Sequence, residues 1–71
     1  MKLGKMDKYQ VEVGSTPAVG GGFHGEAVLL WDDGDSTCHQ KRTFNKVLAT
    51  PKEAEEHATL QIAERIKNKD L

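Results

Sequence analysis

The sequence predicts an α+β fold: a three-stranded antiparallel meander with one C-terminal helix packed on one face (β-β-β-α). Three observations carry that prediction. Residues 50–67, TPKEAEEHATLQIAERIK, read as one capped amphipathic helix. Residues 8–13, KYQVEV, alternate apolar and polar as a half-buried strand does. An Asp-Gly pair at 33–34 separates two further runs rich in β-branched and aromatic residues, which is a hairpin signal.

The N-terminal arm, residues 1–7, is polar with isolated Leu3 and Met6 and is expected to be flexible. The domain proper is then residues 8–71, a single small unit. In its first strand Tyr9, Val11 and Val13 share one face, and Gln10 and Glu12 the other. Residues 14–22, GSTPAVGGG, have loop composition. The second strand, residues 23–31, FHGEAVLLW, is too short before the next breaker to be a typical helix. Its pattern is unusual, because Phe23, Ala27, Leu29 and Trp31 point one way while Val28 and Leu30 point the other. Residues 32–37 form the turn, with Asp32 and Asp33 ending an aggregation-prone run. The third strand spans residues 38–48 and includes Thr43, Phe44 and Val47.

The helix is specified at its start by Thr50 as N-cap, Pro51 at the first helical position and Glu53 completing a capping box. Acidic Glu53, Glu55 and Glu56 near the N-terminus and basic Arg65, Lys67 and Lys69 near the other end complement the helix dipole. Ala58, Ile62, Ala63 and Ile66 share one face with Ala54 and Leu60 on its flanks, and Glu55 interrupts the arc. Burying this stripe is worth roughly 4–6 kcal/mol of transfer free energy. An isolated helix of this length is marginal in water, so it needs a sheet to pack on. The tail NKDL is expected to fray.

A chain of 71 residues is near the lower limit for an independent core, which makes a partner a reasonable expectation. The single cysteine, Cys38, excludes an internal disulfide and points to a reducing compartment, the cytoplasm. No apolar run reaches the ~18 residues of a membrane span, and the opening MKLGKMDKYQ lacks the apolar core of a signal peptide. A net charge of −1 gives no general attraction to phosphate backbones.

The chemical motifs in the sequence are weak. Gly20, Gly22 and Gly25 match G-x-G-x-x-G in letters, but no helix follows to receive a pyrophosphate. Asp32, Asp33 and Asp35 resemble a calcium loop, yet Gly34 is misplaced and Thr43 stands where the bidentate Glu belongs. Cys38 and His39 are adjacent on a strand and face opposite ways, so they do not join His24 or His57 around one ion. The carboxylates of Glu53, Glu55 and Glu56 crowd a helix N-terminus, which disfavours a general acid. The expectation is therefore a non-enzymatic module with no catalytic residues, no metal, no cofactor and no small-molecule substrate.

From Arg42 to Ala63 the run RTF…VLATPKEAEEHATLQIA resembles the closing segment of small uncharacterised bacterial β-β-β-α proteins, in which a Phe-bearing strand passes through a Ser/Thr cap to an E-A-x-x-x-A helix. The resemblance implies this layout and carries no activity.

One helix covers one face of a sheet, while the second strand is apolar on both. Its other face must be covered by the N-terminal arm or by another molecule. The sequence thus points to self-association, as a homodimer, or to a protein partner, with Phe23, Val28, Leu30 and Trp31 as the candidate interface. The alternative is a nucleic-acid-binding sheet that uses Lys41, Arg42 and Lys46 around Phe44, the one basic run with an aromatic.

Overall fold

A computed structural model describes residues 2–70 of the chain. The elements run β1 (Lys2–Met6), β2 (Tyr9–Pro17), β3 (Phe23–Asp32), β4 (Thr37–Leu48) and α1 (Pro51–Lys67). All strands pair antiparallel with their chain neighbours, in the order β1-β2-β3-β4. The α+β class, the meander and the C-terminal helix are as expected, but the sheet has four strands rather than three.

The extra strand is the segment read as a flexible arm. Residues 2–6 pair with β2, Gly4 opposite Val11 and Met6 opposite Tyr9. A register shift between Lys2 and Gly4 breaks the period-2 pattern. Leu3 and Met6, three apart, nonetheless both pack against the core. The connection to β2 is the pair Asp7-Lys8, with Asp7 at φ 55. Asp tolerates this left-handed conformation, as hairpin turns require, but without a following Gly the signal is faint. Met1 lies outside the described residues.

β2 is also longer than its alternating stretch. Gly14 to Pro17, of loop composition, continue the ladder, from Gly14 opposite Glu26 to Pro17 opposite Phe23. Pro17 is the last residue of the strand, where a missing donor is tolerated. The Asp-Gly turn forms as expected: Gly34 is at φ 76, the Asp33 N–H donates to the Ser36 carbonyl at 2.9 Å, and the Thr37 hydroxyl donates to the Asp32 carboxylate at 3.2 Å.

The core lies between α1 and the inner face of the sheet. Val11, Ala27, Leu29, Ala58 and Ile62 are fully buried there, and Val13, Phe44 and Ile66 nearly so. The helix buries Ala54, Ala58, Ile62 and Ile66, a strict i, i+4 row with two small residues followed by two large ones. At the small end the helix backbone comes down onto Gly25 of β3. A Cβ at Gly25 would meet the Ala54 carbonyl oxygen and lie 2.9 Å from the Ala58 Cβ. Leu60 is 69% exposed and Ala63 only half-buried, so the stripe is narrower than the sequence suggests.

Both helix ends are closed. The Thr50 side chain accepts from the Glu53 N–H at 3.1 Å. At the C-terminus the fraying expected of the tail is replaced by a Schellman motif. The Lys69 N–H donates to the Ile66 carbonyl at 3.1 Å, and the Asp70 N–H to that of Arg65 at 2.8 Å. Lys69 supplies the left-handed residue, at φ 56, where glycine is usual, so the stop carries no glycine signal. Leu71 lies outside the described residues. Lys69→Gly is expected to stabilise the fold by about 0.5–1 kcal/mol by removing the Cβ penalty at that φ, read as a higher urea midpoint with an unchanged slope.

Candidate functional site

The register fixes which side chains share the face that α1 leaves open. On β3, alternation from the buried Ala27 and Leu29 sends Glu26, Val28 and Leu30 outward. Val28 lies between Glu12 of β2 and Lys41 of β4. Leu30 lies between Gln10 and His39, and Lys5 of β1 follows beside Gln10. The outer face is thus a pair of aliphatic side chains on β3, bordered by carboxylates, amides and cations. Val28 and Leu30 are half-buried, their flanks covered by these longer neighbours.

Among the described residues one ion pair crosses this face, Lys41 Nζ to Glu26 Oε2 at 3.3 Å. It joins diagonal neighbours on β3 and β4, with the Lys41 side chain 60% exposed. Such a pair contributes little, about 0–1 kcal/mol. At one end of the sheet Lys5, Lys8, Gln10, Leu30, Trp31, Asp32 and Thr37 border an open hollow of about 330 Å³.

The four residues expected to form one interface are divided between the two faces. Val28 and Leu30 are on the outer face. Trp31 packs with the core and meets the Tyr9 ring edge-on, with centroids 5.3 Å apart at 80°. Phe23 has the parity of the inner face, two residues from the buried Gly25. A set chosen for apolarity alone mixes both faces; the strand's alternation separates it. Lys5 belongs to the outer face and was hidden in the sequence, because its strand was.

The basic residues of β4 are also divided. Lys41 is on the outer face, opposite Val28, whereas Arg42 lies opposite the buried Ala27 on the inner face. The Gln40 amide, with its oxygen turned to the guanidinium, accepts from Arg42 at 3.0 and 3.2 Å. Lys46 sits in the irregular segment where β4 bulges between Thr43 and Val47, and its carbonyl lies 3.3 Å from His24 Nδ1. Phe44, the aromatic expected to join a nucleic-acid surface, is 7% exposed. Its ring is met edge-on by His57 at 6.1 Å, and the Arg65 guanidinium lies 5.9 Å above it.

Cys38 pairs opposite Trp31 and His39 opposite Leu30, so they face opposite sides of the sheet. His24 lies at the far end of β3 from Leu30, about 20 Å along the strand. Among the described residues no group of three or more His, Cys, Asp and Glu is placed to hold a metal ion. Two of the three glycines of the G-x-G-x-x-G string have packing roles, while a Cβ at Gly20 would meet nothing. Gly22, at φ 79, lies where a Cβ would be 2.8 Å from the Leu48 carbonyl oxygen, and Gly25 is the seat of the helix. Among the described residues no helix is long and apolar enough to cross a membrane.

No family model matches the chain. Neither a curated protein nor a solved structure matches it.

Proposed function

We propose that the chain is a non-enzymatic interaction module of a reducing, cytoplasmic compartment, and that it self-associates through the sheet face opposite α1. One observation carries this reading. Leu3 and Met6, the apolar residues of the N-terminal arm that was one of two candidate covers for that face, pack against the core on the helix side. Val28 and Leu30 of the outer face are left for a second copy.

The chemistry of the face suits a copy of itself. It presents Glu12 and Glu26 alongside Lys5, Lys41 and His39, so a two-fold arrangement sets opposite charges against each other around an aliphatic centre. Its size limits the affinity. Four strands and about eight residues along each give roughly 500 Å² per copy. A dimer would bury roughly 1,000 Å² in total, the lower bound of specific interfaces. A weak, concentration-dependent dimer is the expected form.

Light scattering and sedimentation from about 10 μM to about 1 mM test the reading; a span of two decades brackets dissociation constants of the weak class. The weight-average mass should rise toward twice the monomer, and Val28→Lys with Leu30→Lys should hold it at the monomer value while circular dichroism stays unchanged. A wild-type chain that is monomeric throughout that range overturns the proposal. The nucleic-acid alternative draws no support from the geometry, since Lys41 and Arg42 face opposite sides of the sheet. Duplex DNA that binds at low salt with a steep salt dependence would reinstate it.

A further inference from the structure

We infer that the free edge of β4 accepts an acidic, extended peptide by strand addition. Among the described residues β4 pairs with β3 alone, and no strand lies at its other edge. Residues 37–43 keep an unbroken register with β3, from Asp32 opposite Thr37 to Glu26 opposite Thr43. The irregularity begins beyond Thr43. That regular stretch is a template for an antiparallel strand of similar length, with main-chain hydrogen bonds supplying affinity.

Charge decides the partner. The chain holds 11 carboxylates against 10 Lys and Arg, yet none of the carboxylates falls within β4. Its charged side chains are Lys41, Arg42 and Lys46, with His39 beside them. Successive residues of an added strand face alternate sides, so its outward side chains would pass Lys41, whose side chain is 60% exposed. Its inward side chains would pass Arg42, and above it the helix flank that carries His57 and Arg65 over Phe44. Carboxylates on either side of the incoming strand therefore meet cations. Glu64, next to Arg65 in the helix, is exposed.

A second copy of β4 is disfavoured by the same residues, because antiparallel self-pairing would bring Lys41 and Arg42 against their equivalents. The chain's own strands that carry carboxylates, β2 and β3, are interior to the sheet. Edge lysines guard against indiscriminate strand pairing. They do not repel an acidic strand, so the guard is also a filter that leaves a partner of opposite charge.

Fluorescence anisotropy with a labelled eight-residue peptide, Glu-Glu-Val-Thr repeated so that carboxylates lie on both sides of the strand, tests the inference. Three further ligands run in parallel: the same peptide N-methylated at alternate residues, a Lys-for-Glu version, and a single-stranded DNA oligonucleotide of matched charge. The acidic peptide should bind saturably, and N-methylation or charge reversal should weaken it by about tenfold or more. Arg42→Glu and, separately, Lys41→Glu should weaken it to a similar degree with unchanged circular dichroism. Amide chemical-shift changes should concentrate in residues 37–43. Absence of saturable binding, equal binding of the N-methylated or Lys peptide, shifts centred on Val28 and Leu30, or tighter binding of the oligonucleotide would each overturn the inference.

Discussion

Gly25→Val is expected to leave the chain without a cooperative folded state, and Gly25→Ala to lose about 3 kcal/mol, the upper end of overpacking costs. At this residue the helix rests on the sheet with no side chain between them. Even the smallest Cβ would run into the Ala54 carbonyl oxygen and approach the Ala58 Cβ to 2.9 Å. The obstacle is helix backbone on one side and a methyl group with no rotamer on the other, so nothing local can swing aside. Relief requires lifting the N-terminal half of α1, which would loosen the buried Ala54 and Ala58. A domain of this size has roughly 3–5 kcal/mol to lose. Gly14→Ala is the control. Its Cβ would meet Glu26 Oε1 at 3.6 Å, an ordinary contact with a flexible side chain, and the substitution should cost less than about 1 kcal/mol. Urea unfolding followed by the fluorescence of Trp31, the one tryptophan, measures both. A Gly25→Ala midpoint equal to wild type would mean that α1 does not dock at this residue.

The same residue illustrates how far the sequence could be read. The helix was legible because its determinants are local. Thr50, Pro51 and the i, i+4 row of Ala54, Ala58, Ile62 and Ile66 need nothing from the rest of the chain. The β3–β4 turn was legible for the same reason, since Asp33-Gly34 encodes its own conformation. Gly25 was not, because its role is set by a helix some thirty positions later; in the sequence it is only the last glycine of a nucleotide-like string. β2 beyond Val13 was illegible too. Gly14, Ser15, Thr16 and Pro17 have loop composition and are strand only because β3 lies beside them. At the candidate site, alternation separated Val28 and Leu30 from Ala27 and Leu29 without saying which pair the helix covers; the structure buries Ala27 and Leu29 under it. Grouping them with Phe23 and Trp31 followed hydrophobicity, which does not know about faces. The division of Lys41 from Arg42 follows from the same parity, and it turns an apparent basic patch into cations on both sides of an edge strand.

A chain shortened to begin at Met6 is expected to lose about 2–4 kcal/mol, approaching the whole stability of the domain. If residues 2–6 were an arm, the truncation would change nothing. As β1 they supply the outer neighbour of β2 and cover the sheet beside Val11 and Tyr9 with Leu3. Removing Leu3 forfeits about 1–2 kcal/mol of apolar burial, given that it is only half-buried. Loss of the β1–β2 ladder and exposure of the Val11 side of the core account for the remainder. Leu3→Ala alone should cost about 1 kcal/mol, which separates the side chain from the strand. The truncation also turns β2 into an edge whose Tyr9, Val11 and Val13 alternate without a lysine among them. Such an edge recruits other strands without regard to charge. The shortened chain should therefore associate irreversibly on warming, while the dimer proposed for the full-length chain should dissociate on dilution. Sedimentation before and after heating distinguishes the two, and an unchanged urea midpoint for the shortened chain would remove β1 from the fold's stabilising elements.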